Sequence, residues 1–241
     1  MNDANPLPTT SLRVRKVHPL RAWIWLVRGW NDFMEVPQVG LAHGAVMAIF
    51  GGLMLWLAWD RFWVLAGAFS GFLLVGPLLS TGLYAVSRAL LRDERAGFAT
   101  VWKVWASLDR RLIHFGILLT ALGTGWVITS AALISLGIQP PVTTPGDFLR
   151  RVVLVKEPGL FEMWLMLGAL MAAPVFASSV IAIPLLMDRQ VSVQRAVLTS
   201  WRAVLANPVA TGLWAGVVMV LTLLGHASWH AYRDLVVREK V

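Results

Sequence analysis

The sequence predicts an all-α membrane protein with about five transmembrane helices and three cytoplasmic interfacial amphipathic helices. Three observations carry that prediction. Charged residues make up 14% of the 241 positions and hydrophobic residues 57%, with a mean hydropathy of +0.67; a soluble domain carries roughly 25% charged residues to coat its surface. All 21 Lys and Arg and all 13 Asp and Glu fall outside five runs, Val36–Trp59, Phe62–Ser87, Leu112–Gly146, Met163–Met187 and Ala203–Tyr232, each at least 24 residues long. A helix crosses a hydrocarbon core of about 30 Å with about 20 apolar residues. Finally, the segments before three of these runs carry apolar residues at helical spacing on one face only.

Residues 1–20 hold three prolines and few large apolar side chains before Val14, and read as a disordered cytoplasmic tail. Residues 21–241 read as one polytopic membrane domain, with spans near 38–59, 62–87, 112–137, 160–187 and 208–230. The polar start is not the layout of a cleavable signal peptide, so the first span is expected to act as an uncleaved signal. In the first amphipathic segment Trp23, Leu26, Val27, Trp30, Phe33 and Met34 share a face opposite Arg21, Arg28, Asn31, Asp32 and Glu35. Tryptophan on the apolar side places such a helix in the headgroup plane. Pro37, with no N–H to donate, ends it. A second stripe joins Phe98, Val101, Trp102, Trp105, Leu108 and Leu112, opposite Lys103, Arg110 and Arg111. A third joins Val193, Ala196, Val197, Trp201 and Val204, opposite Gln194, Arg195, Thr199 and Arg202. Trp30 precedes Pro37 by seven positions, Trp201 precedes Pro208 by seven, and Trp105 and Leu112 keep the interval. The pattern reads as three copies of an interfacial helix followed by a spanning one.

Orientation follows from Lys and Arg. Fourteen lie in the N-terminal segment and the 88–111 and 188–202 connections; four lie in the alternate loops, at Arg61, Arg150, Arg151 and Lys156. The excess predicts that the N-terminus and the three interfacial helices are cytoplasmic. Trp23, Trp30, Trp102, Trp105 and Trp201 are the candidate membrane-interface residues. Gly40 and Gly44, Gly67 and Gly71, and Gly212 and Gly216 stand four apart, a spacing that lets helix backbones approach. The basic excess, a net charge of +8, therefore points to membrane lipids including anionic headgroups, and to other membrane proteins, rather than to nucleic acid.

The chain has no cysteine, which excludes disulfides, thiolate catalysis and cysteine metal sites. No Asp, Glu, Lys or Arg stands inside a run, against the buried carboxylate expected of an ion-coupled transporter. No phosphate loop, zincin motif or nucleophile elbow is present. No catalytic residue and no cofactor are expected. His226 and His230, four apart near the last helix end, project from one face and are the only candidate metal or haem ligands. Interfacial hydrogen bonding is the commoner role of such a pair, and His43 is a distant third partner.

The segments RAWIWLVRGWNDFMEVPQVGLAHG (Arg21–Gly44), VGPLLSTGLYAVSR (Val75–Arg88), IPLLMDRQVSVQRAVLTSWRAVLANP (Ile183–Pro208) and the closing GHASWHAYRDLV resemble the domain-of-unknown-function family 2189 of bacterial integral membrane proteins. That resemblance implies a cytoplasmic-membrane location, no established activity and a cytoplasmic ending. It also implies two hydrophobic helices between the Asn-Pro motif and the closing segment, where this chain has only Val209–Ser228. Five spans from a cytoplasmic N-terminus instead predict an external C-terminus, although Arg233, Arg238 and Lys240 favour the inside. The expected function is a non-enzymatic accessory, assembly or lipid-organising factor. The alternatives are a haem- or metal-associated respiratory protein using His226 and His230, and a permease for an uncharged or amphiphilic solute.

Overall fold

The computed structural model describes residues 12–68, 79–107, 109–139, 141–154, 159–218 and 224–238, without the side chains at 217–218, 224–227 and 237–238. Strand β1 (Leu12–Val14) leads into α1 (Arg21–Glu35) and α2 (Pro37–Ala58), and residues 62–68 begin a further helix. Then come α3 (Thr81–Leu90), α4 (Phe98–Ala106), α5 (Arg110–Gly137) and the short α6 (Pro145–Phe148), which runs on as one π-turn. Helices α7 (Leu160–Ser179), α8 (Ala182–Asp188), α9 (Val193–Ala206), α10 (Pro208–Val218) and α11 (Leu224–Leu235) precede strand β2 (Val236–Arg238). The protein is an all-α membrane protein. Among the described residues three helical lengths, Pro37–Ala58, Arg110–Gly137 and Leu160–Asp188, are long and apolar enough to cross a bilayer. They are the first, third and fourth expected spans; the second includes residues 69–78, which lie outside the described set.

The punctuation follows from the sequence. Pro37 and Pro208 each open a helix, where a missing N–H costs nothing. The residues before them share one conformation, Val36 at φ −135°, ψ 61° and Asn207 at φ −136°, ψ 51°, as the residue before proline is driven out of the helical region. Asp109 and Ser192 cap α5 and α9 by accepting from the N–H of Arg111 and of Arg195. The cap at Asp109 also corrects the second stripe: α4 stops at Ala106, so Arg110, Arg111 and Leu112 belong to the spanning helix α5, and Leu108 lies outside the described residues.

Side chains pack at the two ends of the helical lengths. At one end Ile134, Val142 and Val152 are buried with Phe62, Trp63, Phe148, Phe161 and Trp164 around them, and Trp164 Nε1 donates to Ser130 Oγ at 2.6 Å. At the other, Trp25, Tyr84, Phe115, Ile181, Leu185, Trp214, Trp229 and Tyr232 form the largest core. Between them α2 buries only Val39 and Ala58 within the protein, as a largely lipid-facing helix does.

The second core overturns two expectations. Residues 12–20 are not a tail: β1 pairs antiparallel with β2, Val14 opposite Val236, while residues 1–11 lie outside the described set. Nor is the last run a single crossing. The Arg15 carbonyl accepts from Asn207 Nδ2 at 3.0 Å, just before α10, and the Arg15 N–H donates to the Leu235 carbonyl, at the end of α11, at 3.0 Å. The run therefore begins and ends against the same residue. Residues 12–14 and 236–238 share one side of the membrane, and the predicted opposite-side C-terminus is corrected. The described parts of the two legs are Pro208–Val218 and Leu224–Leu235. Trp214 and Trp229 are fully buried on these legs, the protein surroundings that a re-entrant segment needs.

Candidate functional site

The chemistry-bearing residues converge on this charged end. Helix α1 buries Ala22, Trp25 and Gly29 against α11 and leaves the Trp23, Val27, Trp30 and Met34 stripe exposed. Trp25 stands edge-on to Trp214 with ring centres 5.9 Å apart, and its Nε1 donates to Asp234 Oδ2 at 2.9 Å. Arg21 Nε donates to the same oxygen at 2.8 Å, while Arg15 and Arg28 lie 3.7 and 3.8 Å from Oδ1. Burial by itself would raise the Asp234 pKa. The hydrogen bonds from Arg21 and Trp25, with the Arg21 and Arg28 charges, outweigh it and hold the carboxyl below its ordinary value.

One turn earlier on α11, His230 Nε2 donates to Asp32 Oδ2 at 2.8 Å, with the imidazole only 3% exposed. Tyr232 donates to Asp188 Oδ2 at 2.7 Å; burial, together with the Asp188 charge, pushes the phenol pKa up. Asp188 also meets Arg92 at 3.8 Å and Arg189 at 3.7 Å. Arg88 donates to the Met187 carbonyl at 2.9 Å and sits 6.0 Å from the Trp229 ring. Arg111 donates to the carbonyls of Leu186, Arg189 and Val191 at 3.1, 3.0 and 3.0 Å. Leu186 lies in the last turn of α8, where intrahelical donors run out and the helix dipole is negative, and Arg189 and Val191 follow it. The Arg111 hydrogen bond in turn lowers the pKa of Asp109. The arrangement holds helices together: Asp32, Asp188 and Asp234 each meet a basic group from another element.

Of the residues singled out from sequence, His230 pairs with Asp32, and the His226 side chain lies outside the described residues. No group of three or more His, Cys, Asp or Glu able to hold a metal occurs among the described residues. His43 spends Nδ1 on the Val39 carbonyl at 2.9 Å, while its buried Nε2 faces Gly82 without a hydrogen bond. Trp23, Trp30, Trp102 and Trp105 are exposed; Trp201 is half-buried and donates to Ser178 Oγ at 2.9 Å. Of the glycine pairs, Gly40 lies under Phe33 and Gly67 beside Val127. Among the described residues nothing stands within 4 Å of a Cβ built on Gly44, Gly212 or Gly216, and Gly71 lies outside the described residues. The sequence reading passed over Trp25, Asp234 and Gly82, and placed Asp188 at a span edge as a solvated cap or turn residue. A signal existed: Arg21, Trp25, Arg28 and Asp32 recur at i, i+4, i+7 and i+11, and His230 and Asp234 at i, i+4, two helical stripes awaiting a partner.

The sequence model of a family described as predicted integral membrane protein, DUF2189, matches residues 64–188. The chain belongs to that family. The DUF2189 segment contains Arg88, Arg111 and Asp188 but neither α1 nor α11, so it is narrower than the motif resemblance, whose opening and closing segments lie outside it. A Synechocystis sp. protein described as a probable ABC transporter permease is 26% identical over 135 residues, 56% of this chain and 44% of that protein. The match thus spans less than half of that relative. No solved structure matches the chain.

Proposed function

We propose that this DUF2189 protein is a non-enzymatic accessory or lipid-organising subunit of the bacterial cytoplasmic membrane, with the clustered charged end facing the cytoplasm. The observation that carries this reading is the way the ionisable groups are used. Asp234 is ringed by three arginines and a tryptophan, and Asp32 and Asp188 are each matched by a basic group, so these charges brace helices against one another. The Lys and Arg excess at that end supports the cytoplasmic orientation. A green fluorescent protein fusion after Val241 tests it: fluorescence supports the reading, and an active alkaline phosphatase fusion at the same point refutes it.

A second reading, a permease subunit, is favoured by the likeness to the probable ABC transporter permease. The proline within α7 and the nearly bare α2 fit a helix set that packs against another subunit. Purification from the native membrane in mild detergent separates the two readings. A stoichiometric ATPase partner establishes the permease reading, whereas its absence, with a non-ATPase membrane complex recovered, establishes the accessory one.

A further inference from the structure

Exposed aromatic surface at the charged end is not shared evenly by the three amphipathic helices. On α1, Leu20, Trp23, Val27, Trp30 and Met34 follow at i, i+3, i+7, i+10 and i+14 and are all exposed, Trp23 at 69%. On α4, Phe98, Trp102 and Trp105 follow at i, i+4 and i+7 and are exposed as well, Trp102 at 70%. Helix α9 leaves no ring exposed, because its one aromatic residue, Trp201, is half-buried and donates to Ser178. Both exposed stripes are seated on one turn of α2. Phe33 of α1 lies on Gly40, where an added Cβ would stand 2.5 Å from the ring. Trp105 of α4 has its ring centre 5.5 Å from that of His43, and Val101 is buried beside Gly82. Gly40 and His43 are three residues apart and so neighbours on the helix surface. Leu41 on the same turn is exposed, as are Val46, Ile49 and Leu53 further along. The exposed apolar surface thus runs from α1 and α4 onto a helix long enough to cross a bilayer.

We infer that α1 and α4 form one shelf whose aromatic faces lie in the headgroup and acyl boundary of the leaflet at the charged end. Its partner is the lipid surface. Large contiguous apolar faces are rarely left to water, and an indole suits this boundary because its ring enters the acyl region while its N–H stays wet. The adjoining faces are polar: Arg28 and Asn31 on α1 and Lys103 on α4 are exposed, and long basic side chains reach headgroups with their stems on apolar surface. Continuity with α2 selects lipid over a second protein. A single residue, Val36, separates α1 from that span, so the shelf meets α2 where its lipid-facing length begins. Rings lodged in one leaflet displace lipid from that leaflet alone. The shelf thereby deepens the lipid-organising reading, on which it rests.

The chain has no cysteine, so a single introduced one carries a nitroxide spin label without background. Trp23→Cys, Trp30→Cys and Trp102→Cys in the full chain, in vesicles of phosphatidylethanolamine and phosphatidylglycerol, are compared with Asn31→Cys and Lys103→Cys on the adjoining faces and Leu53→Cys on α2. The measurement is the ratio of collisions with oxygen, which enters lipid, to collisions with a water-soluble nickel chelate. A face held ~5–10 Å into the boundary is expected to raise that ratio at least about threefold at the three tryptophan positions over Asn31 and Lys103, with Leu53 higher still. Val27→Cys repeats the measurement on the α1 stripe without removing a ring, and is expected to agree with Trp30→Cys. Ratios at the tryptophan positions equal to those at Asn31 and Lys103 overturn the proposal; if Leu53 then keeps its oxygen preference, the shelf falls and the lipid-facing span stands. Few collisions with either reagent also overturn it, identifying a covering protein, and dipolar broadening of the spectrum would identify that protein as a second copy. Recovery of a stoichiometric ATPase partner together with the expected ratios supports the shelf while removing the accessory reading.

Discussion

Asp234→Asn removes the charge on which the junction of α1 and α11 centres. The carboxylate side chain is 10% exposed and accepts from Arg21 and Trp25 at 2.8 and 2.9 Å. Hydrogen bonds to a charged group contribute about 1.5–3 kcal/mol each. Arg21 is 32% exposed and the amide keeps one acceptor oxygen, so solvent screening and the surviving bond reduce the loss to about 2–3 kcal/mol. That magnitude raises the open fraction of the α11–β2 segment by about 30- to 150-fold. Val236 is buried and the chain has no cysteine, so Val236→Cys supplies a single reporter thiol. Its maleimide labelling rate in native vesicles at fixed pH follows the opening equilibrium. Asp234→Asn is expected to accelerate labelling by that factor. Acceleration below threefold, with the helical signal intact, would refute the assignment of Asp234 as the anchor. The pH dependence has a definite sign. The folded pKa lies below the unfolded value of about 3.9, so the stabilisation is fully present above pH 4 and is lost as pH falls through the folded value. Thermal unfolding should show that loss in wild type and a smaller one in Asp234→Asn.

Three more outcomes follow from the geometry. Val14→Cys with Val236→Cys should oxidise to a disulfide in intact membranes, because paired antiparallel residues have Cα atoms about 4.5–5.5 Å apart; no cross-link would mean that the two ends do not meet. Arg111→Lys should lower the unfolding free energy by about 2 kcal/mol, since an ammonium cannot span three carbonyls as the guanidinium does, and an unchanged melting temperature would contradict it. Gly82→Ala should destabilise by about 1–3 kcal/mol, because its Cβ would stand 2.7 Å from Val101 Cγ1 and 3.0 Å from His43 Nε2. Val101→Ala should restore it, whereas Gly44→Ala, in open space, should show no loss in the same thermal assay.

The sequence by itself determined that this is an α-helical membrane protein, where three of its spans run, and where prolines and caps break the helices. Each of these is a local or compositional property. Charge-free length sets the capacity to cross a bilayer, and Pro37, Pro208, Asp109 and Ser192 act within a few residues of themselves. The exposed stripe of α1 was legible for the same reason, since helical period alone puts Trp23 and Trp30 together. What only the tertiary structure decided is the fate of the last run and the meaning of the polar faces. Thirty uncharged residues from Ala203 to Tyr232 read as one crossing by length, and nothing local says that both ends return to Arg15. Asp32 likewise reads only as part of the polar face of the first stripe, and Asp234 draws no reading at all, until His230 and Arg21, about two hundred positions away in sequence, are brought against them. A carboxylate's environment depends on which charges share its surroundings in space, and pairings over such separations leave no periodicity for a sequence to display.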